Sequence, residues 1–89
     1  MDFEWDGLKG RENVRKHGVS FEEASEAFAD DLSATVVDPD HSIDEERFLL
    51  FGRSPQEKYL VIAFTERNGR IRIISARTMT RREREAYES

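Results

Sequence analysis

Lys58-Tyr59-Leu60-Val61-Ile62-Ala63-Phe64-Thr65-Glu66-Arg67-Asn68-Gly69-Arg70-Ile71-Arg72-Ile73-Ile74-Ser75-Ala76-Arg77-Thr78 consists of two β-rich runs separated by Asn68-Gly69 alone. Both central residues of a type I′ turn need positive φ, so Asn-Gly between apolar runs is the strongest short hairpin signal a sequence offers. A two-residue turn also sets a register: Leu60 opposite Arg77, Ile62 opposite Ser75, Phe64 opposite Ile73 and Glu66 opposite Ile71 on one side of the sheet.

Working toward the amino terminus, Ser54-Pro55-Gln56-Glu57 joins this hairpin to a strand over Glu46–Arg53. A regular hairpin around those four residues puts Arg47, Leu49, Phe51 and Arg53 on the same side, with Arg47 beside Phe64. Leu32–Asp38 is rich in β-branched residues and reads as another strand, followed by a turn at Pro39-Asp40-His41-Ser42. Asp6 is placed to cap a helix over 7–17 on which Lys9, Asn13, Lys16 and His17 recur at spacings of three and four, on one face. Gly18 supplies a left-handed end. Ser20-Phe21-Glu22-Glu23 then reads as a capping box opening a second helix that buries Phe21, Ala24, Ala27 and Phe28. Thr80-Arg81-Arg82-Glu83 is a second capping box, starting a terminal helix through Tyr87. The expected fold is α+β: two N-terminal helices packed on an antiparallel sheet of about four strands, with a C-terminal helix.

The chain has 89 residues, enough for one domain spanning 1–89 and one core. Hydrophobic and charged residues each make up 37%, so the interior is small and the surface strongly polar. With no cysteine, a disulfide framework, a thiolate metal site and a catalytic thiol are all excluded. No apolar run approaches a membrane span or a signal peptide, and the sequence reads as a soluble cytoplasmic protein.

The net charge of -5 conceals a separation of sign. Glu22 to Glu46 contains ten acidic residues and no Lys or Arg, whereas Arg67 to Arg84 contains seven Arg and one acid, Glu83. Such a basic strip suits phosphates, with Arg67, Arg70, Arg72, Arg81 and Arg82 as the candidate RNA-binding residues. A partner that neutralises it would be expected to lay its own Asp and Glu residues along the strip. The alternative is that these arginines pair with the protein's own carboxylates.

No metal centre is expected, because His17 and His41 fall in different elements without a carboxylate at helical ligand spacing, and no other cofactor is implied. Neither Ser42 nor Ser75 lies in a Gly-x-Ser-x-Gly elbow, and the glycines form no phosphate loop. What remains is a set of Arg, Lys, His and Glu, the groups that cleave RNA through its own 2′-hydroxyl: a proton acceptor, a proton donor and cations against the charge on the phosphorane oxygens. His17, Lys16, Arg47, Arg77 and Glu46 are the candidates, with Glu66 a second candidate base. A histidine can shuttle a proton, and the two arginines can grip a phosphate bidentately. The structural alternatives are that His17 serves the end of its helix and that Arg47 and Arg77 form internal ion pairs.

The order Phe3-Glu4-Trp5-Asp6, Lys9, Asn13, Lys16-His17-Gly18-Val19-Ser20-Phe21-Glu22-Glu23-Ala24, Asp40-His41-Ser42, Glu45-Glu46-Arg47, Gly52, Arg72-Ile73-Ile74-Ser75-Ala76-Arg77, Glu83 and Tyr87 closely resembles the BrnT family across essentially the whole chain. The resemblance implies a RelE-like endoribonuclease toxin of a type II toxin-antitoxin system. Such a toxin arrests translation and is neutralised by a BrnA-like ribbon-helix-helix antitoxin, with operator DNA contacted only through that antitoxin. The resemblance points at Lys9, Asn13, Lys16, His17, Glu46, Arg47, Arg77, Glu83 and Tyr87 without dividing them into catalytic and structural. A reading of a different class keeps the fold but not the activity: an inactive binding protein acting as co-repressor with a DNA-binding antitoxin.

Overall fold

A computed structural model describes residues 1–40 and 45–89, so His41 and Ser42, and with them half of the expected turn, lie outside the described residues. The elements are β1 (Phe3–Glu4), α1 (Gly7–His17), α2 (Phe21–Glu26), a single 3-10 turn (Ala27–Ala29), β2 (Ala34–Val37), β3 (Phe48–Arg53), β4 (Tyr59–Arg67), β5 (Arg70–Thr78) and α3 (Arg81–Glu88). The sheet order is β1-β5-β4-β3-β2. The α+β expectation holds, with one correction: the sheet has five strands and is mixed, because Phe3–Glu4 runs parallel to β5. Two residues are too few for any alternation of apolar and polar positions to reveal a strand.

Asp6 caps α1 by accepting the backbone N–H groups of Leu8 and Lys9. Ser20 caps α2 by accepting from the Glu23 N–H at 3.0 Å, but the expected reciprocal bond is replaced. The Glu23 carboxylate turns outward to Lys58 and Ser54, tying α2 to the loop before β4. At α3 the box is complete, with Thr80 and Glu83 each bonding the other's backbone N–H.

Two one-residue shifts change which side chains share a face. The Asn68-Gly69 turn forms as expected, with φ of 53° and 76°, and Phe64 pairs with Ile73 and Glu66 with Ile71. Between Ala63 and Phe64 the ladder then slips, so Ala63 faces Ser75, Ile62 faces Ala76, Val61 faces Arg77 and Leu60 faces Thr78. The extra residue is Ile74, and beyond it the expected pairings of Leu60 with Arg77 and Ile62 with Ser75 are corrected. The β3–β4 connection is tighter than expected: Ser54 and Lys58 already pair through their backbones, and Glu57, at φ 67°, ends a three-residue loop. Phe48, Leu50 and Gly52 therefore stand opposite Phe64, Ile62 and Leu60, and Arg47 lies on the other side from Phe64, against expectation.

The inner face packs under α1 and α2. Val19, Phe21, Ala24 and Ala27 meet Leu50, Leu60, Ile62, Phe64, Ile73 and Ala76, with Phe3, Trp5, Phe28 and Phe48 closing the margin. Gly52 permits the close approach of the 3-10 turn, since a Cβ there would stand 3.0 Å from the Ala27 carbonyl oxygen. Among the described residues no helix is long and apolar enough to cross a membrane. The outer face is only partly covered, by α3.

Candidate nucleic-acid site

Asn13 joins the two halves of the site. Its side chain is buried, with 7% of the residue exposed, and its Nδ2 donates to the carbonyls of Val19 at 2.9 Å and Ala76 at 2.8 Å. Its Oδ1 accepts the Ala76 N–H at 3.2 Å, so one amide occupies the edge of β5 beyond the reach of β1. Lys9, Lys16 and His17 stand three or four positions from Asn13 and so share its side of α1, all exposed. The last turn of α1 is thereby held beside Ala76, the neighbour of Arg77. The same turn is pinned by the Lys58 ammonium, which donates to the Gly18 carbonyl at 3.2 Å.

Arg77 projects from the outer face and is held by Glu83, Nη1 to Oε1 at 2.8 Å and Nη2 to Oε2 at 2.9 Å, with a further bond from Nη1 to the Thr78 carbonyl. Three of its five donors are engaged and two remain. The Arg77 guanidinium, assisted by the Thr80 backbone, lowers Glu83 to a pKa of about 2, and the pair raises Arg77 above its ordinary value.

Arg47 shares the outer face but not the neighbourhood. It precedes Phe48 and so lies level with Thr65, whereas Arg77 lies level with Val61. That places the two arginines about 13 Å apart along the strands and about 10 Å across them. The Arg47 carbonyl accepts the Asp38 N–H at 2.8 Å, and its guanidinium has no hydrogen bond or ion pair among the described residues. Glu46 is exposed beside it, its carbonyl accepting from the Thr65 hydroxyl at 2.8 Å. Glu66 stands near the hairpin tip opposite Ile71. Asn13 thus ties the helix that bears Lys16 and His17 to the backbone of the Arg77 strand, while Arg47, Glu46 and Glu66 lie apart from that junction.

The basic strip is extensively paired. Arg67 meets Glu45 at 3.0 Å, Arg70 and Arg72 share Glu4 at 3.9 and 2.9 Å, Arg81 meets Glu85 at 3.2 Å and Arg84 meets Glu88 at 3.5 Å. With Arg77 on Glu83, this leaves Arg82 as the arginine of the strip without an ion pair among the described residues. Among the described residues, the other Lys and Arg side chains besides Arg47 without an ion pair are Lys9, Arg11, Arg15 and Lys16, all on α1. Sequence reasoning passed over Arg11 and Arg15. The available signal was local composition, since α1 holds four Lys and Arg against one Glu.

Tyr87 secures the far end of α3. Its hydroxyl donates to Asp30, which also accepts the backbone N–H of Arg53 at 2.8 Å and of Leu32 at 3.0 Å. Burial and the Asp30 carboxylate push the Tyr87 hydroxyl up to about 12. Burial works to raise Asp30, but its donors outweigh it and its pKa lies below the ordinary value. Alongside, the Arg84 guanidinium lies 3.9 Å from the centre of the Tyr59 ring, which meets Tyr87 edge-on.

The site thus consists of a helix anchored to a strand edge, with cations on its last turn, and a buttressed arginine on the adjoining strand of a small α+β protein. Residues 5–83 match the family described as "Ribonuclease toxin, BrnT, of type II toxin-antitoxin system", and the chain belongs to that family. The crystal structure of the Brucella abortus ribonuclease toxin BrnT is similar in fold, with a TM-score of 0.67 at 20% identity, over 91% of this chain and 99% of that one. No curated protein sequence matches the chain. The family assigns it an antitoxin partner and an RNA target in general terms.

Proposed function

We propose that the protein is a metal-independent endoribonuclease that cuts RNA by attack of the 2′-hydroxyl on the adjacent phosphate and so arrests translation in the cytoplasm. The observation that carries this reading is the anchoring of α1 on Ala76 through Asn13, which joins the turn bearing Lys16 and His17 to the strand bearing Arg77. In the reaction, the 2′-oxygen forms a bond to phosphorus as the bond to the 5′-oxygen breaks. His17 takes the proton of the 2′-hydroxyl and returns it to the departing 5′-oxygen. Arg77, oriented by Glu83, offers its two remaining donors to the phosphorane oxygens, and Lys16 adds a mobile charge. Arg47 meets the RNA further along the outer face, and the alternation of the strand sets Glu46 on the opposite side from it.

Binding draws first on the cations without an ion pair among the described residues, Lys9, Arg11, Arg15 and Arg82. Arg67, Arg70, Arg72 and Arg81 contribute by exchanging a carboxylate for a phosphate, a small cost for ion pairs this exposed. The proposed partner is a BrnA-like ribbon-helix-helix antitoxin that alone contacts operator DNA. Induction of the protein without its neighbouring gene tests the reading. Arrest relieved by co-expressing that gene is the expected result, and undisturbed growth would favour an inactive co-repressor.

A further inference from the structure

Where α3 crosses β2 and β3, the outer face opens into a cleft of about 390 Å³ whose walls include Leu32, Ala34, Phe51, Ala86 and Tyr87. The apolar surface continues beyond it. Ala34 and Val36 stand on the outer face of β2 opposite Phe51 and Leu49, and Leu32, in the turn before β2, lines the same cleft. Leu32 is 75% exposed and Val36 48%, in a chain with only 37% hydrophobic residues. β2 is also the edge strand of the sheet among the described residues. An apolar stripe of this kind on so polar a protein marks a contact surface.

We propose that this cleft and the stripe of Leu32, Ala34 and Val36 receive an amphipathic helix of the antitoxin, apolar residues inward and an acidic residue against Arg82. The inference rests on the toxin-antitoxin reading. A groove between a helix and a sheet suits a helix laid lengthwise, and a small molecule filling the cleft would leave Val36 uncovered. The acidic residue follows from charge. Arg82 lines the cleft without an ion pair among the described residues, while the neighbouring Glu83 is already neutralised by Arg77. Because Glu83 both lines the cleft and holds Arg77, the docked helix lies beside the candidate reaction centre and closes the outer face over it. Inhibition then works by covering Arg77 and leaves the ion pairs of the basic strip intact.

The test measures affinity between the full chain and the purified product of its neighbouring gene, without RNA, for the wild type, Leu32→Glu, Ala86→Glu and Arg82→Gln, with Val14→Glu on α1 as the control. All four positions are exposed, and melting curves verify that the variants fold. The two acidic cleft variants should each weaken binding by about tenfold or more, chiefly through faster dissociation. Arg82→Gln should flatten the salt dependence, and Val14→Glu should bind like the wild type. Wild-type affinity in both acidic cleft variants would overturn the docking site alone. No binding by the wild type would overturn the toxin-antitoxin reading together with it. Self-association of the chain abolished by Leu32→Glu, with antitoxin affinity unchanged, would assign the stripe to a second copy and also overturn the proposal.

Discussion

Arg77 and Glu83 grip each other through two parallel hydrogen bonds, and the same Glu83 carboxylate accepts the Thr80 N–H at 2.8 Å. One side chain thus starts α3, ties it to β5 and orients the arginine assigned to the phosphate. Glu83 has a pKa of about 2 against an ordinary 4.5, so its contribution is complete above pH 4.5 and is lost as the pH falls toward 2. Glu83→Gln should cost about 1–2 kcal/mol at pH 7, allowing for partial exposure of the pair. Urea unfolding at pH 7 and pH 2.5 checks this, and an equal cost at both would show that the ionised pair is not responsible.

The geometry of Arg77 matters more than its charge. Arg77→Lys keeps the cation but loses the planar fork, so it should reduce cleavage far more than Arg70→Lys, whose contact with Glu4 is long at 3.9 Å. Matched losses in single-turnover rates, or an unfolded Arg77→Lys protein, would make Arg77 a purely structural residue.

Asn13→Ala removes three hydrogen bonds and leaves polar groups of Val19 and Ala76 without their partner. A cost of about 2–4 kcal/mol in urea unfolding is expected. A loss below about 0.5 kcal/mol would mean that α1 is held by apolar packing alone.

How much of this was legible depended on whether a signal was local. The Asn68-Gly69 turn, the caps at Asp6 and Thr80 and the extent of α1 follow from a few adjacent residues, and all four formed as read. The bulge at Ile74 and the three-residue loop ending at Glu57 did not announce themselves, because nothing at Ile74 distinguishes it from its neighbours and Glu57 is not a usual left-handed residue. Each shift moved its strand's side chains to the opposite face. Since both occurred, Arg47 and Arg77 still share a face, the outer one. The pairing of the strip arginines was equally hidden, as Glu4 lies 68 residues from Arg72 in the chain.

Tyr87 should remain protonated well above the usual tyrosine range, since its hydroxyl is pushed up to about 12. A raised pKa means the contribution is full below pH 10 and fades as pH rises from 10 toward 12. Tyr87→Phe should therefore cost about 1 kcal/mol at pH 7, and difference absorbance should reveal a late-titrating tyrosine that the variant lacks. Its absence in the wild type would contradict the bond to Asp30.

The chemistry of the cut end tests the central claim most directly. Purified protein is incubated in excess chelator with an RNA oligonucleotide, the same sequence carrying a 2′-deoxy sugar at the cleaved position, and the matching DNA. Mass spectrometry should find a 2′,3′-cyclic or 3′-phosphate end on the RNA alone, because only RNA carries the attacking hydroxyl. Cleavage that needs added divalent metal, or that consumes the deoxy substrates equally well, would contradict the account.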